Sequence, residues 1–449
     1  MRIYLDTLGC RLNQAEIERL ARYFRAAGHE LVGDPAQADL VVLNTCAVTQ
    51  KAVADSRQRA RQLSRAGAGA LALTGCWVTL EPDAAAALPR VRWVVPNPEK
   101  DALAARVLGQ PLEAFDLEPV AREPLPGLRL RTRAFIKVQD GCDNRCTFCI
   151  TTVARGAGRS RAIDEVVADV RAALRGGAQE IVLTGVHLGS WGADLTPRRH
   201  LRHLVAELLE RLDIPRLRLS SLEPWDLDAA FFDLWQDPRL ARHLHLPLQS
   251  GSAATLRRMA RKTTPPAFRA LVEEAVARIP GVAITTDIIV GFPGESEAEF
   301  TESLTFVASL PLAGGHVFTY SERPGTAAAR MPNPVPHRVR KERNARMRAV
   351  LAQAAARYRE GFVGRTLTVL WERATRLDVD GLWVLEGLTD NYLRVRARAP
   401  QNLWNRLTPV RLLRVAEDGV LEGEIPLARQ HPTAHPAARA STASPAPHG

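Results

Sequence analysis

Long apolar runs are missing from this 449-residue chain. With no stretch of about 18 apolar residues, no membrane-spanning helix is expected. The opening residues, MRIYLDTLGC, lack the basic-then-apolar pattern of a signal peptide and read as a first strand. Together these absences predict a cytoplasmic protein. Cysteine is scarce: six residues cannot make a disulfide scaffold of a chain this long, and in a reducing compartment they are better read as ligands. Acidic residues are outnumbered, 49 Asp and Glu against 60 Lys and Arg, giving a net charge of +11. Such a balance suits a polyanionic partner, nucleic acid first. What remains is ordinary: a 46% hydrophobic content supplies a large core, and the length suggests roughly two to four domains.

The scarce cysteines are not scattered. Cys142, Cys146 and Cys149 fall within eight residues, Cys142-Asp143-Asn144-Arg145-Cys146-Thr147-Phe148-Cys149, with spacing C-x3-C-x2-C. Thiolates this close converge on one soft-metal centre: Zn, Cu(I) or iron–sulfur. A structural zinc site and a [4Fe–4S] cluster both usually take four protein ligands. Here no His or Cys follows before His187. Three ligands leave one iron open to a small molecule; the other reading is half a zinc site completed from afar.

Cys10, Cys46 and Cys76 show a second pattern. Residues 1 to about 120 alternate strand and helix signals, with strands at RIYLDTLG, ADLVVLNTC and ALALTG and helices at 13–27 and 49–63. This order predicts a small doubly wound α/β domain. Each cysteine follows one strand, and the carboxyl ends of parallel strands share an edge where such folds bind ligands. Residues far apart in sequence therefore become neighbours, and a second thiolate-held cluster is expected.

The rest of the chain divides by composition. Residues 121–130 close a Pro- and charge-rich linker that begins near 116. From 131 to 362 about six strand-then-loop units predict an incomplete (β/α)6 barrel with chemistry at its strand carboxyl ends, closed by an Arg-rich helix at 335–361. Residues 363–428 hold short alternating segments and predict a small all-β barrel. Its Arg394, Arg396 and Arg398 share one face beside Tyr392, either as a solvated face or as a nucleic-acid contact. The tail, 429–449, is low-complexity and expected to be disordered.

Nine words in order, TLGCRLNQAE, NTCAVTQKAVADSR, LTGCW, GCDNRCTFCI, RLSSLEP, HLPLQSG, TTDIIVGFPGE, YSERPGTAA and GLTDNY, resemble the methylthiotransferases, a radical S-adenosylmethionine (SAM) subfamily. The resemblance covers nearly the whole chain. It implies an N-terminal methylthiotransferase domain, a radical SAM barrel and a C-terminal TRAM barrel. It implies two [4Fe–4S] clusters: a catalytic one on Cys142, Cys146 and Cys149 that cleaves SAM to a 5′-deoxyadenosyl radical, and an auxiliary one on Cys10, Cys46 and Cys76 that delivers sulfur. A second SAM supplies the methyl group. Breaking an unactivated C–H bond lies beyond side-chain acid–base chemistry, so the cofactor must carry it.

Candidates to hold SAM are the polar residues at barrel strand ends: Thr184, Gly185, Ser220, Ser221, Glu223, Gln249 and Asp287. Ser and Thr there equally suit helix caps. Arg155, Arg159 and Arg161 are candidates for the SAM carboxylate or RNA phosphate. Of His243 and His245, one is expected to face the barrel interior and the other the helices, in packing or substrate contact. The implied partners are tRNA at adenosine 37 of the anticodon loop, an electron donor such as flavodoxin or ferredoxin, and a sulfur donor. The words after Cys10 and Cys46, Leu-Asn-Gln-x-Glu and Ala-Val-Thr, look most like the branch acting on N6-threonylcarbamoyladenosine. The isopentenyladenosine branch, the ribosomal-protein aspartate branch and a non-catalytic zinc-bearing RNA-binding protein are the alternatives. A threonylcarbamoyl carboxylate calls for a cation, for which Arg11 and Lys51 are candidates.

Overall fold

The computed structural model describes residues 1–66, 69–109, 132–376 and 380–426. The expected linker and tail lie outside them. The N-terminal region is a five-stranded parallel sheet in the order Glu30–Leu31, Arg2–Thr7, Leu40–Thr45, Ala70–Gly75, Val91–Val95. The three expected strands lie side by side at its centre. The two additional edge strands carry weak signals, one being only two residues long. Leu40–Thr45 is buried at every position, as a central parallel strand must be when helices cover both faces.

Six parallel strands follow: Arg133–Lys137, Glu180–Thr184, Leu217–Leu219, His243–His245, Ala283–Val290 and Gly314–Thr319. They form two three-stranded sheets, linked by bridges Leu217–Leu240 and Ser221–His245. The result is the expected open barrel. The pleat sorts its residues by face. Ala134, Ile136, Ile181, Leu183, Leu217 and Leu219 join the large core under the helices. Arg133, Phe135, Lys137, Glu180, Val182, Thr184 and Arg218 alternate with them and face the lumen. The helix His337–Glu360 packs on the last strand and closes that side.

The N-terminal domain covers the open side. Helix Arg11–Ala26 carries two apolar faces. Ile17, Leu20 and Phe24 pack on its own sheet, and Ala15 packs against Phe135 and Val182 inside the barrel. Beside Ala15, Glu16 is buried within 2.7 Å of Lys100, 2.9 Å of Arg155 and 3.5 Å of Lys137. Desolvating charges costs several kcal/mol per ion, so this cluster is tolerable only with all members in place. It ties the two domains in one register.

The C-terminal strands Thr366–Arg376, Trp383–Thr389, Arg394–Ala399, Leu421–Glu424 and Leu407–Val415 close into a barrel around Trp371, Val395 and Leu412. This barrel docks through two buried guanidinium groups. Arg218 donates to the carbonyls of Asp390 (2.8 Å) and Thr389 (3.2 Å), and Arg216 to those of Leu388 (3.1 Å) and Thr368 (2.9 Å). Glu180 holds both from below, at 2.7 Å and 3.4 Å.

Burial alone would raise the Glu180 pKa. Arg218, Arg216 and Arg133 overcome it and lower the pKa from 4.5 to about 2. Ionised Glu180 therefore contributes stability above about pH 4.5 and loses it as pH falls through about 2. The gap corresponds to about 3 kcal/mol. We expect urea melts followed by tryptophan fluorescence to show a steeper loss of stability over that interval in the parent than in Glu180→Gln. Parallel pH profiles would contradict this.

Candidate active site

The first thiol site is a loop held at both ends. Gly141 precedes it with φ +70°, and a Cβ there would lie 1.9 Å from the Ala157 carbonyl oxygen, so only glycine fits. Thr147 donates through Oγ1 to the Arg258 carbonyl (2.8 Å) and through its backbone to Met259 (3.1 Å). Phe148 meets Phe292 edge-on at 6.5 Å and packs with Met259, Tyr320 and Ala328. These contacts explain the aromatic residue before Cys149: it pins the loop to the last barrel strands.

Charged groups surround the loop thiols. Arg261 reaches Cys146 Sγ (3.6 Å), pairs with both Glu223 oxygens (3.2 and 2.6 Å) and lies over the Trp225 ring at 4.6 Å. Burial pushes the Cys146 thiol up while Arg261 pulls it down, leaving it raised. His187 bonds to Asp226 (2.6 Å) and lies 3.3 Å from Asn144. Burial opposes its charge, but bonds to Asp226 and Cys142 raise its pKa to about 10.

The second set of thiols comes from the N-terminal sheet, one after each of three adjacent strands. Gly9, at φ +103°, lets the first loop approach the second: a Cβ on it would lie 2.7 Å from Cys46 Sγ. Cys46 is pushed up to about 11, by burial first and then by repulsion from Cys10 and Cys76. Cys10 is exposed as a whole residue, yet burial of its thiol is the leading cause of its raised pKa, and Cys76 adds to it. Adjacent strand ends bring the three thiols near one another, and a cation between them would offset their mutual repulsion. Among the described residues no three His, Cys, Asp or Glu side chains stand preset as a metal site. Cys10 lies 3.7 Å from Asn13 Oδ1, and Asn97 Nδ2 donates to Cys76 at 3.4 Å.

The N-terminal thiols and the barrel's strand ends meet at a cavity of about 1160 Å³. Its wall holds Cys10, Cys46 and Cys76 opposite Thr184, Gly185, Ser220, Ser221 and Asp287. The Cys142–Cys149 loop is not itself on that wall; Thr151, just after it, is. Ser220 Oγ, Asp287 Oδ1 and His243 Nδ1 are buried and have no hydrogen-bond partner among the described residues. Orphaned buried polar atoms are rare in folded proteins, and these fit a polar ligand in the cavity.

The radical SAM superfamily model matches residues 136–307, and a model described as Uncharacterized protein family UPF0004 matches 2–95. A Bacillus subtilis protein named threonylcarbamoyladenosine tRNA methylthiotransferase MtaB is 35% identical over 425 residues, spanning 92% of this chain and 94% of that protein. The chain belongs to the radical SAM methylthiotransferases. An Anoxybacillus flavithermus tRNA-2-methylthio-N(6)-dimethylallyladenosine synthase is 32% identical, spanning 94% and 82%. The solved radical SAM methyltransferase TsrM from Kitasatospora setae shares the fold, with TM-score 0.54 at 16% identity over 73% of this chain and 76% of that one. Among the described residues no helix is long and apolar enough to cross a membrane.

Within this methylthiotransferase the expected site residues divide. Five of the seven SAM candidates line the cavity. Glu223 is taken up by Arg261. Gln249, at φ +75°, exchanges backbone bonds with Asp287 and Ile289; neither lies on the cavity wall. Arg155 is not free for a carboxylate or phosphate, since it is 1% exposed and bonded to Glu16, Asp140 and Asn13. Arg161 is paired with Asp169 and Glu165, and Arg159 is half exposed. Lys51 is a solvated pair with Asp55.

The expectation for the two histidines was wrong. Residues two apart on a strand share a face. His243 and His245 both line the cavity, each 3.0 Å from Thr285 Oγ1. Tyr392 also departs from the expected arginine face: it turns inward and stacks on His243 at 4.5 Å. Arg396 and Arg398 are paired with Asp418 and Asp380, and Arg394 is exposed at the cavity edge. Arg261, Asp226 and Asn97 are not among the expected site residues, and His187 enters the sequence reading only as the first His or Cys after the loop. No local pattern marks them, because each matters only through a contact distant in sequence.

Proposed function

We propose that this enzyme methylthiolates tRNA, at C2 of N6-threonylcarbamoyladenosine 37. One observation carries the reading: a single cavity joins three N-terminal thiols to the polar strand ends of a radical SAM barrel. The relatives' names support tRNA as the substrate. When bound, a [4Fe–4S] cluster at Cys142, Cys146 and Cys149 and SAM supply hydrogen abstraction from an unactivated carbon, and a second cluster at Cys10, Cys46 and Cys76 supplies the site of sulfur delivery. The three-thiol sets suit iron–sulfur ligation by their softness and number.

The chain's own residues position and exclude. Arg261 places positive charge beside Cys146, which favours the thiolate that ligation needs. Ser220 and Asp287 offer unused polar atoms to a ligand. The Glu16 cluster fixes the N-terminal thiols against the barrel mouth. Arg11 favours the threonylcarbamoyl branch: its guanidinium lies on the cavity wall, where an isopentenyl group would want apolar surface. A reductant such as flavodoxin or ferredoxin and a sulfur donor complete the proposed cycle in the cytoplasm.

Nucleoside mass spectrometry of tRNA from cells with and without the gene tests this. Loss of the gene is expected to remove 2-methylthio-N6-threonylcarbamoyladenosine and leave the isopentenyl counterpart unchanged. Persistence of the first, with no second enzyme present, would overturn the assignment.

A further inference from the structure

All three domains meet at Tyr392. Its loop is held firmly: Asp390 takes Arg242 in two bonds (2.6 and 3.0 Å), and Asn391 donates to the Gly281 carbonyl (3.2 Å) and to Tyr358 Oη (2.9 Å). That anchorage forces Tyr392 to φ +66°, a region that bulky residues rarely adopt. The ring projects from the C-terminal barrel into the cavity and stacks on His243 with an interplanar angle of 18°.

The charges around it do not balance. The guanidinium carbons of Arg11, Arg133 and Arg218 lie 5.7, 6.0 and 4.9 Å from the ring centroid. Arg133 is paired with Glu372 and Arg218 with Glu180, each at 2.7 Å. Arg11 bonds the Tyr392 hydroxyl at 2.7 Å and, among the described residues, pairs with no carboxylate. The hydroxyl accepts from Arg11 and has Arg133 as a second hydrogen-bond neighbour. Both are donors only, and the hydroxyl's own proton has no acceptor among the described residues. On the ring's stacked side, buried His243 Nδ1 has no partner among the described residues either. A spare guanidinium edge, a spare hydroxyl proton and an orphaned ring nitrogen on one wall call for an anionic, hydrogen-bonding group.

We propose that Arg11 and Tyr392 form a subsite for the carboxylate of the amino-acid-bearing adenosine, so that the C-terminal barrel supplies a specificity-determining residue as well as RNA affinity. This rests on the threonylcarbamoyl reading above. Arg11 directly follows Cys10. A carboxylate held there places the substituent of the base beside the N-terminal thiols. A backbone phosphate has related chemistry, and the test separates the two.

The test is fluorescence anisotropy with full-length, anaerobically reconstituted protein and three anticodon stem-loop RNAs. These carry threonylcarbamoyladenosine, its methyl ester or plain adenosine. Hydrogen bonds to a charged group predict that the parent binds the acid about tenfold or more tighter than the ester. Arg11→Gln is expected to bring that ratio near one while ester and plain RNA bind as before. Tyr392→Phe keeps the ring and should lower the ratio several-fold. Arg11→Lys should restore part of it, which a folding defect would not allow. An unchanged acid-to-ester ratio in Arg11→Gln overturns the proposal. So does an equal loss on all three RNAs, which marks a phosphate contact. A parent that fails to distinguish acid from ester and plain RNA instead overturns the substrate reading on which the proposal rests.

Discussion

Cys146→Ala is expected to reduce 5′-deoxyadenosine formation to the level of protein-free controls. It should also remove about four irons per chain, the content of one cluster. The prediction is specific because the loop's position does not depend on this thiol. Thr147 is fixed by hydrogen bonds to Arg258 and Met259, and Phe148 by packing on Phe292. A methyl group in place of a partly buried thiol leaves those contacts intact. It cannot donate to iron, however, and two remaining thiolates hold a four-iron cluster poorly. Anaerobic SAM-cleavage assays with iron quantification check the result. Cleavage at the parental rate would remove the radical role from this loop.

The triple variant Cys10→Ala, Cys46→Ala, Cys76→Ala should separate the two halves of the reaction. It is expected to lose a second cluster's iron and all methylthiolated product while continuing to form 5′-deoxyadenosine. Cys76 belongs to the core on one face of the sheet, among Leu43, Leu73 and Trp77, while Ile3, Val42 and Phe24 build the core on the other face without any of the three thiols. Trimming a buried cysteine to alanine removes one sulfur, a cost of about 1 kcal/mol per site. The Glu16 cluster that docks the domain uses none of the three. The loss therefore falls on sulfur delivery and leaves domain assembly in place.

Much of this was legible in the sequence for identifiable reasons. A buried parallel strand announces itself as an apolar run, as Leu40–Thr45 does, whereas Ala283–Val290 shows as one of the repeated strand-then-loop units. Cysteines at successive strand ends predicted their own convergence, because parallel topology puts those ends on one edge. The edge strand Glu30–Leu31 escaped because two residues carry no periodicity. Arg155 was misjudged for a different reason: its partner Glu16 is 139 residues away, and only the docked domains bring them together. Tyr392 looked like part of an arginine-rich surface because it adjoins Arg394. Its positive φ breaks the alternation that a strand reading assumes. The histidine pair is the instructive error, since the period-two rule already placed His243 and His245 on one face. Site residues that act through long-range pairing, such as Arg261 with Glu223, have no signature in a single chain read linearly.

The three N-terminal thiols on the cavity wall and the Cys142–Cys149 loop just outside it are proposed to perform successive steps on one substrate. The most direct measurement counts both products in one reaction: 5′-deoxyadenosine and methylthiolated nucleoside from the triple cysteine variant on threonylcarbamoylated tRNA. Continued 5′-deoxyadenosine with no methylthiolated nucleoside is expected. Methylthiolation at the parental ratio to 5′-deoxyadenosine would contradict it.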